Sequence, residues 1–310
     1  MIRTPIPWPN GAKVAVAITF DMDADSLIHI EKGPAGVKYL STISMLRYGP
    51  DVAIPRILEG YRRFGLTQTF FIPAWCIEQH PKAVEAIVTD GHEVAFHGYI
   101  HEAPNALPPR EELYWMQRSI DVIEGFTGQR PRGNRSPLYN MSQHTPGFLA
   151  NEGFLYDSSL MGDDIPYLLA PPEGEIVELP ISWATDDWPP YVHSIDLDYM
   201  FQIMAPDRAR EIFMAEFNAM RRAGGGLWIA VWHPFVSGRL SRWQRIEAMI
   251  EEMLETGEVW FAPLEEIAGF VKGLHDQGTQ SLRRVTLPLY EGAAPLPQPR
   301  PSTMPKGDPE

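Results

Sequence analysis

Apolar runs punctuate this chain at a regular rhythm. Val14-Ala15-Val16-Ala17-Ile18-Thr19-Phe20 is too short for a buried helix and reads as a strand covered on both faces. Gln68–Ile72, His92–Phe96 and Leu227–Trp232 have the same character, and Arg130–Arg135, Phe154–Tyr156, Ile176–Leu179 and Val259–Phe261 are shorter examples. Between them the period changes to that of a helix. Ile54, Ile57, Leu58 and Tyr61 follow Asp51 and stop at Gly65; Pro81 opens a helix that runs to Thr89. Further helices are predicted over about 110–125, 143–152, 207–223, 243–253 and 264–274. Strand, helix, strand, helix in this order predicts a parallel α/β sheet built as one domain, with seven or eight strands. Residues 24–50, 161–175 and 184–204 show no clean period and read as loops. Loops this long in a compact domain usually serve a site.

Several polar residues follow directly on predicted strands. Asp21 and Asp23 end the first and fall on the same side if the chain stays extended. His97 and His101 follow the third, four residues apart, a spacing that brings both imidazoles to one side of a helical turn. Arg135, Asp157 and His233 each follow another strand. In parallel barrels the reacting groups collect at the C-terminal ends of the strands. Two imidazoles and one carboxylate form a donor set for one metal with a position left for water, and the second carboxylate is then available as a base. Zn²⁺ suits imidazole and carboxylate ligands; Co²⁺, Mn²⁺ and Ni²⁺ are also compatible. A loop carboxylate beside two solvated histidines is the plain alternative.

The order of these stretches resembles the polysaccharide deacetylase superfamily (NodB homology, carbohydrate esterase family 4), and its intracellular Helicobacter peptidoglycan deacetylase-like branch in wording. The matching residues are Phe20-Asp21-Met22-Asp23, His97-Gly98-Tyr99-Ile100-His101-Glu102, Tyr156-Asp157-Ser158-Ser159-Leu160-Met161, Glu178–Trp183 with Asp186–Pro190, and His233–Arg239. The resemblance implies an irregular (β/α)7 barrel of the NodB type over residues 14–275, with long active-site loops. It implies Asp21 as base, Asp23, His97 and His101 as metal ligands, and His233 as the acid. It also implies Arg135 as the residue orienting the base and Asp157 as the carboxylate orienting His233. In the family's Arg-x-Pro-aromatic stretch, Leu138 replaces the aromatic residue and Tyr139 the glycine that follows; the Leu138 N–H keeps the implied oxyanion position. Leu138, Tyr139, Trp183, Asp187 and Trp188 are expected at the substrate, with Tyr39, Tyr48 and Tyr191 in the pocket wall. The activity implied is hydrolysis of a non-peptide amide bond, in an N-acetyl sugar or a small amide or cyclic imide. The alternative is an inactive binding or scaffold protein on the same barrel.

Composition narrows the setting. Forty acidic against 26 basic residues give a net charge of −14 among 310 residues, which argues against nucleic acid and anionic membrane partners. One cysteine, Cys76, excludes an internal disulfide and reads as buried. The absence of a leader-like apolar stretch leads to the expectation of a cytoplasmic protein. Residues 1–13 read as an arm and 276–310 as a Pro-rich tail; both suggest exchange with neighbours in a homodimer or homotetramer. His92 is expected to be a hydrogen-bonded core residue, and His193 a candidate for the pocket.

Overall fold

The computed structural model describes residues 2–292. Twelve strands occur among them: β1 (Val14–Asp21), β2 (Thr69–Ile72), β3 (Glu93–Phe96), β4 (Gly133–Asn134), β5 (Tyr156–Asp157), β6 (Tyr167–Ala170), β7 (Ile176–Glu178), β8 (His193–Ser194), β9 (Tyr199–Met200), β10 (Gly226–Trp232), β11 (Val259–Phe261) and β12 (Arg284–Thr286). Ten form one curled sheet in the order β10-β1-β2-β3-β4-β5-β7-β6-β12, with β11 against the lower half of β1. Its pairings are parallel except β6 with β7. Strands β8 and β9 make a separate hairpin. The expected single-domain α/β architecture, built on a mostly parallel sheet, is therefore present.

The first strand shows how the sheet divides the core. All its residues are buried. Val14, Val16, Ile18 and Phe20 face the helical layer with Tyr61, Phe217 and Trp243. Ala15 and Ala17 point inward, where Phe71, Tyr156, Ile229 and Val231 fill the barrel. Small residues on β1 leave room for those rings. The same inward row continues to Thr19 and Asp21, so strand alternation delivers a carboxylate to the upper end of the barrel interior. At the lower end, Trp8 is buried against Trp260 and Phe270, and its indole N–H donates to the Gly226 carbonyl at 2.8 Å.

Four sequence expectations change here. Residues 24–50 are largely helical, with Ser26–Lys32 and Leu40–Tyr48 joined by a 3-10 turn; Gly33, Pro34 and Pro50 cut the period too short to read. Tyr167–Ala170 is a strand between Pro166 and Pro171 within a stretch read as loop. Arg284–Thr286, assigned to the tail, pairs with β6 and extends the sheet. The arm packs on its own barrel through Trp8 and so gives no support to exchange between subunits; residues 293–310 of the tail lie outside the described residues. No described helix is long and apolar enough to cross a membrane.

His92 takes the core position expected of it. Its Nδ1 accepts from the Gln68 N–H at 3.0 Å, and its ring lies between Tyr61 and Phe70. Burial pushes its pKa down to about 4. The unfolded chain takes up this proton near pH 6.5 and the folded chain does not, so stability falls as pH drops from 6.5 towards 4. A difference of this size is worth about 3 kcal/mol. Urea denaturation of the wild type and His92→Gln across this range should give a steeper acid loss in the wild type. Equal slopes would remove His92 as the cause.

Candidate active site

The upper ends of β1, β3, β4 and β10 converge on one cavity of about 470 Å³. Asp21, Asp23, His97, His101 and His233 form its floor. Their side chains are almost fully buried, which makes every charge there sensitive to its neighbours.

His97 and His101 do not lie on a helix. The chain from 97 to 103 is a tight loop, with left-handed backbone at Gly98 (φ 74°) and at His101 (φ 69°). Gly98 is required there, because a Cβ would sit 3.1 Å from Pro137 and 3.2 Å from Glu102. Glu102 shapes the loop: its carboxylate accepts from the Tyr99 N–H at 2.8 Å and the Ile100 N–H at 2.7 Å. The strained His101 backbone is held by this closure. The four-residue spacing thus brings the two rings together, with centroids 5.0 Å apart, by a different local geometry from the one expected.

Hydrogen bonding fixes the His97 tautomer. Its Nδ1 lies 2.6 Å from the Arg135 carbonyl, which only accepts, so Nδ1 carries the proton. Nε2 then faces the Asp23 carboxylate at 3.3 Å, and His101 Nε2 faces it at 3.5 Å. Asp23 Oδ1 is buried with no hydrogen-bond partner. Donor atoms of Asp23, His97 and His101 all lie within 4.8 Å of one another. Burial alone would raise the Asp23 pKa, but His101, His97 and His233 hold it far below the usual carboxylate range. Burial lowers His101 to about 4, which leaves its imidazole neutral. Two imidazoles that converge on an ionised, under-bonded carboxylate have the chemistry of a cation site.

Asp21 has a different neighbour. The Arg135 guanidinium, fully buried, donates to Asp21 Oδ1 at 2.7 Å and to Thr19 Oγ1 at 2.7 Å. It also donates to the Ser158 carbonyl and hydroxyl, and stacks 4.1 Å above the Phe71 ring. Arg135 thereby fixes the position of the Asp21 carboxylate.

The partner of His233 differs from the expected one. Asp187, not Asp157, accepts from His233 Nδ1 at 2.7 Å and from its backbone N–H at 3.0 Å. Asp187 is fully buried behind His233 and does not line the cavity, so it is no substrate contact. Burial opposes protonation of His233, but Asp187 outweighs it and the pKa is pushed up to about 10. Its Nε2 points back towards Asp23 at 3.4 Å. Asp157 instead accepts from Asn134 Nδ2, the Ser159 N–H and the Ser159 hydroxyl. Ser159 Oγ in turn accepts from the Ser136 N–H at 2.8 Å, so Asp157 braces the loop that carries Arg135. Burial raises the Asp157 pKa against the lowering by its hydrogen-bond partners, and burial together with the neighbouring Asp157 raises that of Glu178.

Among the residues expected at the substrate, Leu138, Tyr139, Trp183 and Trp188 line the cavity. Leu138 and Tyr139 both have left-handed backbone, at φ 55° and 59°. Tyr39, Tyr48 and Tyr191 do not line it: Tyr48 receives the Arg56 and Arg239 guanidiniums, and Arg242 covers Tyr191. His193 is exposed on the β8–β9 hairpin and bonds the Phe201 carbonyl. Sequence reasoning missed Ile30, Glu31, Tyr199 and Phe201, which the 24–50 and 184–204 segments bring to the wall together with Asp186. Asp186 accepts from the Tyr139 hydroxyl and the Trp188 N–H, and Asp187 and His233 are bound to each other. The three lie close together but their donor atoms are already paired, unlike those around Asp23.

Known proteins share this arrangement of strands. The family model for polysaccharide deacetylase matches residues 44–154. A solved structure from Mycobacterium smegmatis that carries the polysaccharide deacetylase name is 39% identical, with 93% of this chain and 99% of that chain covered and a TM-score of 0.86. The peptidoglycan deacetylase of Helicobacter pylori is 27% identical over 82% of this chain and 95% of its own length. A peptidoglycan deacetylase-like protein of Gibberella zeae is 29% identical over 85% of this chain and 88% of its own length. The chain belongs to the polysaccharide deacetylase family, hydrolases that act on amide C–N bonds other than peptide bonds.

Proposed function

We propose that this protein is a metal-dependent amidohydrolase that removes the acyl group from a small amide. The observation that supports it most is the Asp23 carboxylate, under-bonded and faced by the Nε2 atoms of His97 and His101. Asp23, His97 and His101 would hold one divalent ion, with Zn²⁺ the best match to the donors. When bound, such an ion polarises the amide carbonyl and makes a coordinated water more acidic. The chain's own residues do the rest. Asp21, aimed by Arg135, takes the proton from the attacking water. His233, kept protonated by Asp187, gives a proton to the leaving nitrogen. The Leu138 N–H faces the carbonyl oxygen as charge develops there. The cavity wall holds water away from both proton transfers.

The aromatic wall supports a compact substrate over a long glycan. The 24–50 segment and the β8–β9 region, tied together by the Thr42–Asp196 hydrogen bond, both contribute to the wall above the floor, and polymer sites are usually open grooves. A small N-acyl amine fits this description; a cyclic imide or ureide is the second small substrate of the same chemistry. Purified without added metal, the protein should hold about one divalent ion per chain by elemental analysis. The metal-loaded protein should hydrolyse a small amide, hydantoin or allantoin faster than it releases acetate from chitin oligomers. Less than a tenth of an equivalent of metal, with no gain on adding Zn²⁺ or Co²⁺, rejects the metal. A deacetylation rate that rises with oligomer length rejects the small substrate.

A further inference from the structure

The reaction proposed above concerns only the amide end of the substrate. The remainder of the ligand meets the cavity wall, and that wall carries charge of one sign. Beyond the five floor residues, the ionisable acids lining the cavity are Glu31 and Asp186; among the described residues no lysine or arginine lines it. Arg135 lies beneath the floor with its donors on Asp21, Thr19 and Ser158. Asp186 is buried, bonded to Tyr139 and the Trp188 N–H, and pushed up to about 7 by its burial. Glu31 is different. Its side chain is 51% exposed, and its one ion-pair partner is Lys32, at 3.4 Å. The Lys32 ammonium also lies near the Tyr39 ring, outside the cavity lining.

The rest of the wall is aromatic. Tyr139 and Trp183 meet edge to face at 4.8 Å, and Trp188 and Tyr199 at 5.0 Å, with Phe201 beside Tyr199. Ring faces attract a cation and offer nothing to an anion. A carboxylate at the mouth adds to that preference, and the net charge of −14 acts in the same direction at longer range. In the wall an anionic distal group would meet Glu31 and Asp186 with no lysine or arginine to pair it, and would lose hydration on entry; the protonated His233 belongs to the floor, where the acyl group sits.

We infer that the cavity selects substrates by the charge of the group beyond the scissile amide: it takes N-acylated amines that carry a second, cationic amine, and turns away those ending in a carboxylate or phosphate. This rests on the amide-hydrolase reading of the floor. Glu31 and the aromatic wall read the distal ammonium, while the floor holds the acyl group.

Three amides of equal length test it: N-acetyl-1,4-diaminobutane, N-pentylacetamide and N-acetyl-4-aminobutyrate. Their dissociation constants are measured by calorimetry on the protein as purified, and acetate release is followed separately. The cationic amide should bind about tenfold more tightly than the neutral one, and the anionic amide more weakly than either. Added salt should narrow the cation's advantage. Glu31→Gln should bring the cationic and neutral amides to within about threefold of each other, and Glu31→Lys should place the anion ahead of the cation. Equal binding of all three, tighter binding of the anion, or no binding at millimolar concentration would overturn the inference. A charge order in binding with no acetate release sinks the hydrolase reading alone. Acetate release without a charge order sinks the selectivity alone.

Discussion

Asp21→Asn is expected to lower turnover on the order of 10²–10⁴-fold while the protein keeps its divalent ion, the usual loss when a general base is removed. Asp23→Asn is expected to lose both. The two carboxylates are two residues apart, yet their surroundings differ in kind. Asp21 faces a buried guanidinium that orients it. Asp23 faces three imidazoles and leaves one oxygen without a hydrogen bond. An amide at Asp21 keeps the shape and still accepts from Arg135, so the ion-binding groups are undisturbed. An amide at Asp23 removes the only carboxylate of the donor set. Kinetics paired with elemental analysis of each variant decides the matter. If Asp21→Asn releases the ion and Asp23→Asn retains it, the two roles are exchanged.

The second large effect concerns His233. Asp187→Asn removes the anion that keeps His233 protonated, and an amide group cannot accept from both the Nδ1–H and the backbone N–H as a carboxylate does. Turnover should fall on the order of 10²-fold or more. The sign of the pH effect follows from the lost charge. The wild-type His233 pKa is raised, so the protonated acid persists as pH increases; without Asp187 it loses its proton at lower pH. The alkaline limb of the pH–rate profile should therefore move towards neutrality. Asp157→Asn should stay within about tenfold of wild type with its alkaline limb in place, because the groups around Asp157 brace the Arg135 loop and do not touch His233. A shifted limb in Asp157→Asn and an unshifted one in Asp187→Asn would restore the pairing expected from the sequence.

That exchange shows where sequence reading stops. The apolar runs located β1 and β10 nearly to the residue, since strands covered on both faces have no polar interruptions. The residues at the ends of β1, β3, β4 and β10 supplied Asp21, Asp23, His97, Arg135 and His233, all of which meet in one place. Which acid stands behind His233 depends on how the chain from 182 to 192 crosses the end of β10. It does so through the Asp186–Val231 bridge, a contact with no periodic signature. The His97–His101 spacing fits a helix and a closed loop equally, and the Glu102 contacts that choose the loop involve backbone N–H groups that sequence does not display. The cavity wall was hidden for another reason. Glycine and proline divide residues 24–50 into helical pieces of nine residues or fewer, too short for an apolar stripe to repeat.

The position of β1 also bears on how the molecule is made. This strand leaves the ribosome well before β10 and β11, yet it pairs along its length with β10 and at its base with β11. Trp8 waits for Gly226, 218 residues later in the chain. At about 5–20 residues per second, those partners arrive on the order of ten seconds or more after β1 itself. Until then Val14–Phe20 is an apolar strand with no charged residue within it, covered by β2 only at its upper end and open along the rest of both edges, the type of segment that pairs with the wrong chain. The sheet cannot be completed around an early domain; its first strand is completed by its late ones. Nascent chains arrested before residue 226 should therefore be the forms most dependent on chaperones, and the burden should fall once β10 has been released.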